Sequence, residues 1–84
     1  MVRVKLFGSP RLDSGVRELT AEADSVKALY PQVLEELRRR NPESAVTEKD
    51  LLACLVAVNG KQSTPRAKLR DGDEVWFLPA VAGG

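Results

Sequence analysis

Residues 74–79, Glu-Val-Trp-Phe-Leu-Pro, are the stretch that most limits how this chain can fold. Four large apolar residues, Val75, Trp76, Phe77 and Leu78, follow one another without a polar interruption. Successive side chains of an extended strand point to opposite faces, so both faces here are apolar. A strand of that kind belongs inside a sheet, with a neighbour on each side and cover above and below. Pro79 has no amide hydrogen and ends the ladder. The last strand of the chain is therefore expected to be a central one, and the rest of the sequence must supply its neighbours and its cover.

The cover is found in residues 25–42. Val26, Leu29, Tyr30, Val33, Leu34 and Leu37 fall at helical spacing and form one apolar stripe. Ser25 is placed to cap the start. Arg38, Arg39 and Arg40 lie in the last turn, opposite the carbonyl end of the helix dipole, and Asn41-Pro42 ends the helix. Pro31 removes one backbone donor, so the sequence predicts a kink, or a main helix that begins only near Tyr30.

Met1 to Phe7 alternates and reads as a first strand, with Val2, Val4 and Leu6 on one face and Arg3, Lys5 and Phe7 on the other. Gly8 to Gly15 reads as a turn by composition. Val16 to Ala23 reads as a second strand with Leu19, Ala21 and Ala23 inward. Val16 is out of parity and suggests a bulge. Thr47 to Asp50 resembles a capping box opening a short helix. Cys54 to Val58 reads as a buried strand, and Asn59-Gly60 as a tight turn. Residues 61–70 read as a loop or weak edge strand, and Asp71-Gly72-Asp73 as another turn. One main helix on one face of a mixed sheet of four to five strands, with a short second helix, is an α+β domain of the ubiquitin-like β-grasp kind. The expected division is one domain over residues 1–79 and a flexible tail over residues 80–84.

Composition narrows the function. Eighty-four residues bury roughly 60–65% of the unfolded surface, enough for one modest core. Thirteen basic against twelve acidic residues leave a net charge of +1, which argues against nucleic acid as a partner. No apolar run is long enough to span a bilayer, and the first residues form a strand pattern, not a signal peptide. The chain has no histidine, the commonest general base and neutral metal ligand, so no metal site is expected. The lone Cys54 can form no intramolecular disulfide, which fits the cytoplasm, and its apolar setting makes it a core residue before a reactive thiol. Chemistry on this chain is expected to need a partner; it is not catalytic alone.

Two surface features follow from parity. Trp76 and Leu78 share a face with Glu74, away from the helix, and Phe7 lies on the same side of the first strand. Side by side, the three would make an exposed apolar cluster suited to a partner, unless residues 61–70 or the short helix cover it. Beyond Pro79, Ala80, Val81, Ala82, Gly83 and Gly84 carry no charge, cap or period, and are expected to be mobile in isolation. Extended, the five reach roughly 16 Å. Glycines at the tip could enter a narrow channel. A carboxylate delivered there must be activated, for example as an acyl-adenylate, before sulfur or nitrogen can attack it. The sequence contains no phosphate-binding loop, so ATP would be used by a separate enzyme.

Leu69 to Gly84, LRDGDEVWFLPAVAGG, closely resembles the C-terminus of the MoaD/ThiS sulfur carriers, in particular the small subunit of molybdopterin synthase. Val56 to Gly60 and the opening VRVKLFG are similar to other parts of that family. The resemblance implies that Gly84 carries an acyl-adenylate and then a thiocarboxylate, with Gly83 completing the diglycine. It implies that Pro79, Ala80, Val81, Ala82 and Gly83 thread into the partner, and that Phe7, Phe77 and Leu78 belong to an apolar contact surface. The implied partners are the large subunit of molybdopterin synthase, an ATP-dependent adenylyltransferase and a persulfide-bearing sulfurtransferase. The implied product is the dithiolene of molybdopterin, and no cofactor is bound by this chain itself. Two differences are visible: Ala80 stands where members often carry a second proline, and the loop at 61–70 is longer. Other readings are a sulfur carrier for thiamine, tRNA thiolation or a tungsten cofactor, a ubiquitin-like protein modifier, and an interaction domain with an inert tail.

Overall fold

A computed structural model describes residues 1–80 of the chain. The elements run β1 (Val2–Leu6), α1 (Ser9–Ser14), β2 (Glu18–Ala21), α2 (Val26–Arg40), α3 (Glu48–Leu52), β3 (Leu55–Val58), β4 (Lys61–Ser63) and β5 (Glu74–Leu78). The five strands form one sheet in the order β2-β1-β5-β3-β4. β5 is the central strand, parallel to β1 and antiparallel to β3, as its two apolar faces require. One main helix on a mixed sheet makes this a β-grasp of the ubiquitin-like type.

The core lies between α2 and the sheet. Val26, Leu29, Tyr30, Val33, Leu34 and Leu37 point down from the helix. Val2, Val4 and Leu6 from β1 and Val75 and Phe77 from β5 point up to meet them. Phe77 and Tyr30 pack with ring centroids 5.5 Å apart. Ser25 caps α2, its hydroxyl accepting from the Ala28 amide at 3.2 Å.

Two expectations change, and the choice that Pro31 left open for α2 is decided. Residues 9–14 form a helix, α1, where a turn was expected. Pro10 lies in its first turn, Gly15 closes it at φ 73°, and the Gly15 amide donates to the Arg11 carbonyl. Proline inside the start and glycine past the end mark a helix even where no apolar period exists. Helix α2 does not wait for Tyr30 but runs unbroken from Val26 through Pro31. Pro31 is exposed, so water can reach the carbonyl its ring leaves unpaired. The second strand is shorter than the expected Val16 to Ala23, spanning only Glu18–Ala21. Val16 is buried ahead of it, and its amide donates to the Ser14 hydroxyl at 3.1 Å.

The segment after β4 has a definite place. The Val26 amide donates to the Ala67 carbonyl and the Lys27 amide to the Pro65 carbonyl, at 3.0 and 2.9 Å. Two of the otherwise orphaned donors at the start of α2 are thereby satisfied. Ala67 and Leu69 pack against the core from this side, so the segment lies toward the helix and leaves the opposite face of the sheet open.

Candidate functional site

The open face is built by strand alternation. β1 presents Arg3 and Lys5, with Phe7 just beyond its end, and β5 presents Glu74, Trp76 and Leu78. The register sets Arg3 beside Glu74 and Lys5 beside Trp76. Phe7 and Trp76 meet edge to face, centroids 5.9 Å apart and planes at 62°. From the other side Leu55 of β3 pairs with Leu78, and Ala57 with Trp76. Phe7, Trp76 and Leu78 are each half-buried, and Leu55 is 42% exposed. The result is one apolar strip across three strands, ending where Pro79 and Ala80 leave the sheet.

The rim is charged. Trp76 Nε1 donates to Glu74 Oε2 at 2.8 Å. Glu74 Oε1 lies 3.4 Å from Arg3 Nη2 and 3.5 Å from Lys5 Nζ. The indole hydrogen bond first, and then the two cations, hold the Glu74 carboxyl below its usual range. On the β2 side Lys5, Arg11 and Arg17 line a cleft next to Phe7 that also includes Glu18.

Pro79 leaves the sheet packed against Gly8. Gly8, at φ 70°, follows β1, and a Cβ there would fall 3.0 Å from Pro79 Cβ and 3.2 Å from its Cγ. The Phe7 amide donates to the Phe77 carbonyl at 3.1 Å and carries the β1–β5 pairing one residue past Leu6. An open groove of about 420 Å³ borders the same point, lined by Pro10, Val46, Ala53, Cys54 and Pro79 among others. Cys54 is half-buried, its Sγ donates to the Asp50 carbonyl at 3.4 Å, and burial pushes its thiol above the usual range. It is a packing residue with little thiolate character.

The structure sorts the sequence-derived site residues. Phe7, Trp76 and Leu78 come together on the open face, and neither α3 nor residues 61–70 cover them. Phe77 does not join them: it is 0% exposed, a core side chain facing α2, because its parity in β5 is opposite to that of Trp76 and Leu78. Leu55 was expected in a buried strand and instead extends the exposed strip. Leu55 to Val58 are apolar at every position, so the sequence carried no signal for which of them faces outward. Asp71 and Asp73, which read as turn residues, lie ahead of β5, at the opposite end of that strand from Pro79. Asp71 meets the Met1 amino group, and Asp73 accepts from the Arg70 amide and the Asn59 side chain. Pro79 and Ala80 are exposed at the exit. Val81, Ala82, Gly83 and Gly84, with the expected mobility of the tail, lie outside the described residues. Among the described residues no helix is long and apolar enough to cross a membrane.

The model of the ThiS family matches residues 4–84, nearly the whole chain and all of the segment beyond Pro79. The chain belongs to the ThiS family. No curated protein matches it. Among solved structures, this ThiS-family chain is similar to a protein from Pyrococcus furiosus assigned as subunit 1 of a molybdopterin converting factor. Identity is 28%, with 95% of this chain and 97% of that one covered at a TM-score of 0.60. It is similar to a chain of the complex of subunits 1 and 2 of the molybdopterin-converting factor from Helicobacter pylori, at 26% identity, 99% and 97% coverage and a TM-score of 0.58. It is also similar to the small archaeal modifier protein SAMP1 from Methanosarcina acetivorans, at 26% identity, 99% and 95% coverage and a TM-score of 0.63. ThiS-family chains of this β-grasp form are ubiquitin-like sulfur carriers and modifiers.

Proposed function

We propose that this chain is the sulfur-carrying small subunit of a molybdopterin synthase, with Gly84 as the carrying residue. One observation carries the reading: the family match extends through Gly83 and Gly84. The likeness to molybdopterin converting factor chains from P. furiosus and H. pylori supports the choice of pathway.

In this reading an ATP-dependent adenylyltransferase joins the Gly84 carboxylate to AMP and releases pyrophosphate. A persulfide sulfur from a sulfurtransferase then displaces AMP, and reduction of the sulfur–sulfur bond by a thiol leaves the thiocarboxylate. The fold supplies what such a cycle needs from a carrier. Phe7, Trp76, Leu78 and Leu55 form the docking surface, and Pro79, packed against Gly8, fixes where the chain leaves β5 beside that surface. With the face docked on the large subunit, the tail reaches that subunit's site and gives up its sulfur, and water restores the carboxylate. The groups that act on the pterin precursor belong to the large subunit. The dithiolene contains two sulfurs, so two loaded carriers are consumed per product.

Intact-mass analysis of the protein from its native host is the test. The expected result is a fraction of chains heavier by one oxygen-to-sulfur exchange at Gly84, together with co-purification of a synthase large subunit. Chains that carry no sulfur when an adenylyltransferase, a sulfurtransferase and ATP are supplied would overturn the reading.

The likeness to SAMP1 favours a second reading, a protein modifier. It predicts Gly84 in isopeptide linkage to lysines of other proteins, which peptide mass spectrometry of a lysate would detect.

A further inference from the structure

Glu74 and Trp76 are two residues apart in β5 and so stand side by side on the open face. The Glu74 carboxylate is held from two directions. Oε2 accepts the indole hydrogen of Trp76 at 2.8 Å. Oε1 faces Arg3 Nη2 and Lys5 Nζ, both from β1, at 3.4 and 3.5 Å. The Glu74 side chain is only 19% exposed, against 59% for Arg3 and 37% for Lys5, so the carboxylate is the recessed hub of this cluster. The Trp76 ring is thus fixed at its polar edge by Glu74 and braced by Phe7, 5.9 Å away and edge to face. A rotated indole would lose the carboxylate and the Phe7 contact together.

We propose that Glu74 is a positioning residue: its carboxylate holds the Trp76 indole in the orientation that presents a preformed apolar strip to a partner protein. The inference rests on the docking role given to this face under Proposed function. The physical reason is entropic. A large side chain that must be immobilised on binding weakens association, whereas one already fixed does not. Arg3 and Lys5 serve the same end indirectly, by anchoring the other oxygen of the carboxylate.

Two variants separate the hydrogen bond from the charge. Glu74→Gln keeps an oxygen that accepts the indole hydrogen and removes the charge. Glu74→Ala removes both. Trp76 is the only tryptophan in the chain, so its indole resonance and fluorescence anisotropy report on this ring alone. In the isolated full-length protein, the Gln variant is expected to keep the wild-type indole shift and slow solvent exchange. The Ala variant is expected to show an upfield shift, faster exchange and lower anisotropy, with core methyl resonances unchanged. Binding is then measured with the molybdopterin synthase large subunit from the same genome at fixed salt. The Ala variant is expected to bind about 3- to 10-fold more weakly than the Gln variant. Equal indole order in wild type and Ala variant overturns the proposal, as does equal affinity of the Ala and Gln variants. Failure of the wild-type chain itself to bind would retire the docking reading instead, and the indole measurements on the isolated protein would still decide whether Glu74 positions the ring.

Discussion

Gly8 lies against the ring of Pro79 so closely that a Cβ on the glycine would fall 3.0 Å from Pro79 Cβ. The contact joins the end of β1 to the end of β5, and it sits where the chain leaves the sheet. Gly8 also has φ 70° and ψ −145°, a conformation that essentially only glycine adopts. Both the backbone and the space require glycine here. Gly8→Ala is expected to destabilise the fold by about 1–3 kcal/mol. Adding Pro79→Gly should recover the steric share, since it removes the atoms that the new methyl meets. Urea unfolding of the wild type, both single variants and the double variant checks this. Strictly additive effects would show that the two residues are not coupled.

Phe77 and Leu55 should respond in opposite ways to truncation, although they lie on adjacent strands. Phe77 is fully buried against Tyr30, so Phe77→Ala is expected to cost about 3–5 kcal/mol, a large part of the stability of a domain this size. Leu55 is 42% exposed on the open face, so Leu55→Ala should change stability by no more than about 1 kcal/mol and weaken partner binding instead. Denaturant curves and a binding titration on the same preparations distinguish the two. A Leu55→Ala protein that binds a partner as tightly as the wild type would remove Leu55 from the docking surface.

Acid should loosen the end of α2. The Glu36 carboxylate accepts hydrogen bonds from Arg39 at 3.0 and 2.6 Å and from Arg40 at 2.7 Å, and these hold its pKa at about 2 against an ordinary 4.5. The folded state therefore binds fewer protons than the unfolded chain in this range. The contribution is fully present above the ordinary value and fades as pH falls from about 4.5 toward about 2. The carboxyls of Asp73 and Glu74 are also depressed and add to the same slope. Urea midpoints measured across that range should fall for the wild type and fall less for Glu36→Gln. Direct titration of the Glu36 side-chain carbon by NMR is the companion measurement.

Asn59 closes two turns at once. It takes φ 51° between β3 and β4, donates from Nδ2 to Asp73 at 2.9 Å and accepts from the Glu74 amide at 3.0 Å. Asn59→Ala loses both bonds and retains the unfavourable φ, with an expected cost of about 1–2 kcal/mol. Asn59→Gly should be milder, because it relieves the backbone while losing only the side-chain bonds. Thermal unfolding of the two variants tests the order, and the reverse order would mean that the backbone angle carries little strain.

Much of this molecule is determined by the sequence alone. The unbroken apolar run from Val75 to Leu78 has one low-energy place, the middle of a covered sheet, and the stripe from Val26 to Leu37 supplies the cover. Thr47 and Asp50 form the reciprocal capping box that their spacing implies, and Asn59-Gly60 makes the tight turn. These features are local or periodic, and elementary geometry reads them. Helix α1 escaped because it has no apolar face; Leu12 at its centre is 82% exposed, and only the Pro10 and Gly15 punctuation marks it. Pro31 left two readings open for α2, a kinked helix capped by Ser25 or a start near Tyr30, and burial of Val26, Leu29 and Tyr30 decides for the start at Val26. Parity within β5 already sets Phe77 opposite Trp76 and Leu78; tertiary structure alone decided that Leu55 joins the open face and that Gly8 lies against Pro79 where the chain leaves the sheet. Each of these depends on which strand lies beside which and in what register, and one residue of slippage would exchange the buried and the exposed sides. That information lies in pairings between residues as far apart as Leu6 and Phe77, and no local pattern contains it.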